Sequence, residues 1–259
     1  MAHPASSAAE AHVPPVAPEH HGSFWPLYLT LGTTLFLLGS INHLLAIPGF
    51  LLMVASVAGW VREDVVELSH KPYQSGHSDY WLGTIVLILS EVIIFGVLFS
   101  FYFWSRSHSD TFVPEQILRM DLSPIVFNTV VLLSSGATVH TAQVYLKKGE
   151  MKRFRIWLAA TIMLGAVFIL GQAREYVHLT SEGLTPAASV YGTSFFSLTG
   201  VHGLHVLAGL VVLSTILALS FTPFITKERV SGVEGAFIYW HFVDAIWVLV
   251  FTIVYLRLI

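Results

Sequence analysis

The chain has no cysteine among its 259 residues. Disulfides, thiolate metal sites, iron–sulfur clusters and c-type haem attachment are therefore excluded on this polypeptide. Charge is scarce as well: Asp, Glu, Lys and Arg make up 11% of the sequence, against roughly 25% in a soluble domain. With so much apolar sequence in its place, that shortage excludes a disordered chain and an ordinary cytosolic enzyme. The net charge of −3 offers no polybasic attraction to nucleic acid or to a lipid surface. No Gly-rich phosphate loop, nucleophile–base motif or internal repeat is present. Residues 1–23 lack Lys and Arg and lack an apolar run, so they do not read as a cleavable signal. They read as a flexible polar tail, with His3, His12, His20 and His21 solvated rather than metal-bound.

What is abundant is apolar sequence: 54% of residues are hydrophobic and the mean hydropathy is +0.70. Seven apolar stretches run over about 24–46, 49–67, 80–104, 122–146, 154–178, 191–221 and 234–257. A spanning helix needs about 20 apolar residues, so the expected fold is all-α, a polytopic membrane protein with seven transmembrane helices. Trp25-Pro26 suits the start of the first span. Pro48-Gly49 separates the first two stretches so briefly that 24–67 is expected to be an antiparallel hairpin. Residues 80–259 then make a five-helix bundle. Positive charge sets orientation. With the N-terminus inside, the inner segments hold Arg62, Lys71, Lys147, Lys148, Lys152, Arg153, Arg155, Lys227 and Arg229, and the outer ones Arg106, Arg119, Arg174 and Arg257. The excess predicts a cytoplasmic N-terminus and a C-terminus outside.

Function has to come from polar groups that are costly to bury: an ionisable group mid-membrane costs about 2.5–3.5 kcal/mol or more. Glu91 sits in LILSEVIIF, with no other charge within ten residues on either side. It reads either as a proton-linked carboxyl or as a neutral acid bonding a neighbouring helix. Glu175 and His178 have the E-x-x-H spacing of a di-iron ligand pair, but no second copy lies in the membrane. A polar helix end is the better reading there. His202 and His205 lie on one side of their helix and cannot bracket a haem alone. Gly200, Gly203, Ala208 and Gly209 around them allow close helix contact. His241 and Asp244 are three apart and within reach of each other. Asn128 and His140 add further polar positions.

Several segments carry a resemblance: ILSEVIIF (88–95), NTVVLLSSG (128–136), QAREY (172–176), YGTSFFSLTGVHGLH (191–205) and EGAFIYWHFVD (234–244) followed by Trp247. In order and wording the chain resembles subunit III of the haem–copper cytochrome c oxidases, over nearly everything after the tail. That resemblance implies seven helices, the first two leaning from the other five to leave a V-shaped, phospholipid-holding cleft. It implies no haem or copper on this chain; those groups belong to partner subunits. It implies packing on oxidase subunit I, with subunit II in the complex, and support of proton uptake and sustained turnover rather than catalysis. Glu91 matches the family's carbodiimide-reactive carboxyl. His202, His205, His241, Asp244 and Glu175 are the other buried polar candidates. Trp60, Arg62, His77 and Arg229 are the candidates for lipid headgroups, although WVREDVVEL (60–68) departs from the family by placing Glu67 where a second Arg is expected. The bacterial plasma membrane is the expected location. Two alternatives stand beside this one: subunit III of a quinol oxidase, and a proton-coupled transporter using Glu91, His202, His205 and Asp244. The lack of a repeat argues against the transporter.

Overall fold

The computed structural model describes residues 24–38, 43–70, 77–109, 112–114, 121–223, 225 and 231–256. The chain divides into two compact units, Met1–Tyr73 and Gln74–Ile259. The tail histidines lie outside the described residues.

In the first unit α1 (Trp25–Leu38) and α2 (Ala46–His70) pair along their lengths, joined through a 3-10 turn at His43–Leu45. The pairing is antiparallel: Phe36 lies opposite Gly49, Gly32 opposite Met53 and Trp25 opposite Gly59. A Cβ on Gly49 would fall 2.3 Å from the Phe36 backbone nitrogen, so this approach needs glycine. The chain breaks ahead of Pro48-Gly49 rather than at it. Pro48 is accommodated in the first turn of α2, where the missing N–H has no intrahelical partner to lose.

The second unit holds α3 (His77–Ser107), α4 (Ser123–Lys147), α5 (Met151–Ser181), α6 (Val190–Leu219) and α7 (Ser231–Val250), which runs on into a π-helical turn at Phe251–Tyr255. All five are long and apolar enough to cross a membrane. Among the described residues the fold is thus seven α-helices of a polytopic membrane protein, five of full spanning length. The 14-residue α1 reaches only about 21 Å, and the apolar part of α2 is Ala46–Trp60.

Turn chemistry sets these lengths. α4 closes at Gly149, whose φ of 76° only glycine adopts freely. There the Glu150 N–H donates back to the Tyr145 carbonyl. The Ser189 hydroxyl caps α6 by accepting from the Gly192 N–H at 3.0 Å. α4 and α5 pair most extensively, and α7 packs against α3, α4 and α6. Trp240 and Trp247 of α7 are fully buried and form the centre of the core. Their rings fit because glycines face them: a Cβ on Gly165 or Gly209 would come within 2.8 Å of Trp240. Where the π turn interrupts the regular ladder, the Tyr102 hydroxyl of α3 donates to the Ile253 carbonyl and the Tyr191 hydroxyl of α6 to the Val254 carbonyl. α3 buries little of itself, with Ile93 and Val97 two-thirds exposed.

Candidate functional site

The polar groups of the second unit fall into seams between helices. The sharpest joins α3 to α6. Glu91, near the middle of α3, meets His205 of α6, its Oε2 lying 2.7 Å from Nε2. His205 Nδ1 lies 2.7 Å from the Val201 carbonyl. A carbonyl only accepts, so Nδ1 carries a hydrogen. Nε2 is then either a bare acceptor, with the Glu91 acid donating to it, or the second N–H of an imidazolium donating to a carboxylate. Either way one proton is shared by the pair. Both side chains keep about one-sixth of their surface accessible. The Tyr239 hydroxyl of α7 donates to the His205 carbonyl at 3.2 Å, and Phe95 packs on the imidazole. Glu91 is thus bonded to a neighbouring helix, and its partner is a group that can itself exchange a proton.

His202, one turn earlier on α6, has different surroundings. It is 1% exposed and lies between Trp247 and Phe168, and neither ring nitrogen has a hydrogen-bond partner. The two histidines predicted to share a side of α6 therefore meet different neighbours. Of the small residues around them, Gly209 receives an aromatic ring, while a Cβ on Gly203 would meet nothing within 4 Å.

The α4–α7 seam is built from small hydroxyls. Trp247 Nε1 donates to Thr129 and Trp240 Nε1 to Ser135, both at 2.9 Å. On the α5 side, Asn128 donates to the Phe168 carbonyl at 3.0 Å. Asp244 is 7% exposed and lies in the α4–α7 seam against Gly136, where a Cβ would fall 2.4 Å from its Oδ2. Its Oδ1 has no hydrogen-bond partner. The His241–Asp244 pair that the spacing allows is not formed. Asp244 turns into the room left by Gly136, and the His241 side chain, though exposed, keeps its Nδ1 3.7 Å from the same point and lies near His140 of α4.

A groove of about 680 Å³ opens between α4 and α5, with Asn128, Gln172 and Glu175 on its inner wall and Asp121, Arg174 and His178 among its remaining lining. Gln172 donates to the Tyr255 hydroxyl at 3.1 Å. Glu175 is buried with Oε1 unpartnered, while His178 faces Glu182 at 3.5 Å. Of the two residues of the E-x-x-H spacing, His178 thus faces a carboxylate while Glu175 Oε1 has no hydrogen-bond partner. Among the described residues no three His, Cys, Asp or Glu side chains converge on a point that could hold a metal. Outside the spans, Asp121 accepts from the Ser123 N–H at 2.9 Å, and these hydrogen bonds hold its carboxyl below the usual range.

Of the lipid candidates, Trp60 and Arg62 lie exposed on α2. The side chain of His77, which opens α3, and the whole of Arg229 lie outside the described residues. Sequence reasoning missed Tyr239, Thr129, Ser135 and Gly136 as parts of these seams. A signal was available: buried α4 positions 128, 129, 132, 135, 136 and 139 follow a helical period, and Asn128, Thr129 and Ser135 among them are polar.

A family model for cytochrome c oxidase subunit III matches residues 13–257. "Cytochrome c oxidase subunit 3" of Corynebacterium diphtheriae is 37% identical over 177 residues, covering 67% of this chain and 86% of that protein. The protein of the same name from Thermostichus vulcanus is 36% identical, covering 70% of this chain and 89% of its own length. That from Schizophyllum commune is 34% identical over 245 residues, covering 90% and 89%.

Proposed function

The chain belongs to the cytochrome c oxidase subunit III family, and from that premise we propose that it is the non-catalytic, lipid-binding subunit of a proton-pumping terminal oxidase that passes electrons from cytochrome c to oxygen. In this reading the haems and copper sit in partner subunits, subunit I packs directly on this chain, and subunit II completes the complex. Phospholipid headgroups are held by Trp60, Arg62, His77 and Arg229. The chain lies in a bacterial plasma membrane with its N-terminus cytoplasmic and its C-terminus outside.

The observation that carries the proton-linked part is the Glu91–His205 pair. A carboxyl and an imidazole sharing one proton, partly accessible and held midway along spanning helices, form a pair that is neutral overall while it holds that proton and within which the proton can pass from one partner to the other. The other polar candidates are His202, Asp244 and Glu175, buried elsewhere in the second unit, and His241, exposed on α7. The test uses the assembled oxidase. Wild-type chain extracted in mild detergent is expected to bring haem a and cytochrome c oxidation with it. Glu91→Gln is expected to leave assembly intact and to hasten inactivation during turnover. Normal turnover, proton stoichiometry and inactivation kinetics in Glu91→Gln would remove the proton-linked role.

A further inference from the structure

We propose that the groove between α4 and α5 is a binding site selective for an ethanolamine phospholipid, with the lipid phosphate on Arg174, its ammonium on Glu175 and an acyl chain along Phe127, Val167 and Leu170. The site shares no residue with the headgroup candidates Trp60, Arg62, His77 and Arg229, and its chemistry does not depend on the oxidase reading.

Four observations meet there. Glu175 lines the groove, is 8% exposed and leaves Oε1 without a hydrogen-bond partner. A carboxyl taken out of water in that state calls for a donor that the chain does not supply. Second, the amides beside it are turned to accept as well. Asn128 and Gln172 direct their amide nitrogens into the bundle, to the Phe168 carbonyl and the Tyr255 hydroxyl. Asn128 Oδ1 lies against Gly171, where a Cβ would fall 2.5 Å from it, and Gly171 is itself part of the groove wall. The complement of a wall of oxygens is a cation that carries several N–H donors. Third, the opposite charge stands at the mouth. Arg174 is exposed, and among the described residues no carboxylate lies within ion-pair distance of it. The other groove carboxyl, Asp121, is taken by the Ser123 N–H. A free guanidinium beside an acceptor wall matches a phosphate beside an ammonium. Fourth, the depth is that of a headgroup. From Arg155 to Arg174 the helix rises about 29 Å at 1.5 Å per residue, close to the ~30 Å of a hydrocarbon core. Leu170 and Val167 lie one and two turns deeper, and with Phe127 they are exposed, as the wall of an acyl chain must be. A choline headgroup has no N–H to give, and a glycerol headgroup has no cation, so the wall selects ethanolamine.

The test places the full chain, with whatever complex it brings, in nanodiscs of equal ethanolamine and choline phospholipid. Lipid retained after mild delipidation is counted by native mass spectrometry. Wild type is expected to retain one ethanolamine lipid about tenfold in preference to choline, the ratio that one charge-assisted hydrogen bond carries. Glu175→Gln keeps the shape without the charge and is expected to abolish that preference, while Arg174→Leu weakens both lipids alike. Arg62→Leu is expected to leave the preference unchanged. An ethanolamine lipid with a photoreactive diazirine in its acyl chain is expected to label residues 124–128 or 167–171 of wild type. Equal retention of the two lipids by wild type, a preference that survives Glu175→Gln, or labelling confined to other helices would overturn the proposal. If Glu175→Gln does not accumulate, the wild-type preference and labelling decide it. A wild-type chain that brings no haem partner bears on the oxidase reading alone and leaves this test standing.

Discussion

Two histidines one turn apart on α6 divide the second unit into two kinds of region. His205 looks toward α3 and meets a carboxyl with part of its surface still accessible. His202 looks into the bundle and meets only aromatic faces. Residue type, helix and depth are nearly shared. What differs is about 60° of helical rotation, and that rotation separates a group positioned to exchange a proton from one committed to packing. A buried histidine is therefore a functional candidate only when its neighbours can give or take its proton.

The comparison breaks first where packing dominates. Trp247→Ala empties the space beside His202 and removes the N–H that Thr129 accepts from, and a loss of about 3–5 kcal/mol is expected, read as the denaturant midpoint of the purified chain. If stability held, the interior would not be the packed region described. Gly136→Ala comes next. Its Cβ would collide with Asp244, for an expected cost of about 1–3 kcal/mol. An Asp244→Ala change in the same chain should recover part of it, because the obstructing carboxyl is gone.

The polar seam should respond more weakly in stability and more strongly in function. A double-mutant cycle on Glu91→Leu and His205→Leu is expected to give a coupling of about 1 kcal/mol, while the corresponding His202→Leu with Glu91→Leu cycle gives none. Equal couplings would erase the distinction between the two histidines. The smallest effect lies outside the membrane. Asp121 has its carboxyl pKa lowered by the hydrogen bonds at the start of α4. Its contribution to stability is therefore present above the ordinary aspartate value, about 3.9, and is lost as pH falls through the lowered value. Asp121→Asn should lower the neutral-pH midpoint slightly and leave the midpoint in strong acid unchanged, so that the acid limb flattens.

Much of this architecture was legible in order. The five long spans stand out because apolar runs of the required length have few other uses, and Glu91 stood out because charge is absent around it. The α1–α2 boundary was less legible. Pro48-Gly49 looks like a break, yet proline is tolerated in a first helical turn, and Gly49 serves the crossing with Phe36 instead. The His241–Asp244 spacing suggested a pair that does not form, because i,i+3 proximity competes with whatever room the facing helix offers. On α4 that room is Gly136.

By itself, then, the sequence determined that this is a cysteine-free, multi-helix membrane chain of the subunit III family, with one isolated carboxyl that needs a reason to be there. Composition and run length suffice for that, because the bilayer filters sequences by transfer cost. Only the tertiary structure decided that this carboxyl meets His205, that His202 meets aromatic rings, and that Asp244 sits in the space left by a glycine. Those outcomes depend on which faces of α3, α4, α6 and α7 meet. Helix crossings are set by side-chain volume on both partners at once, which no single stretch of sequence contains.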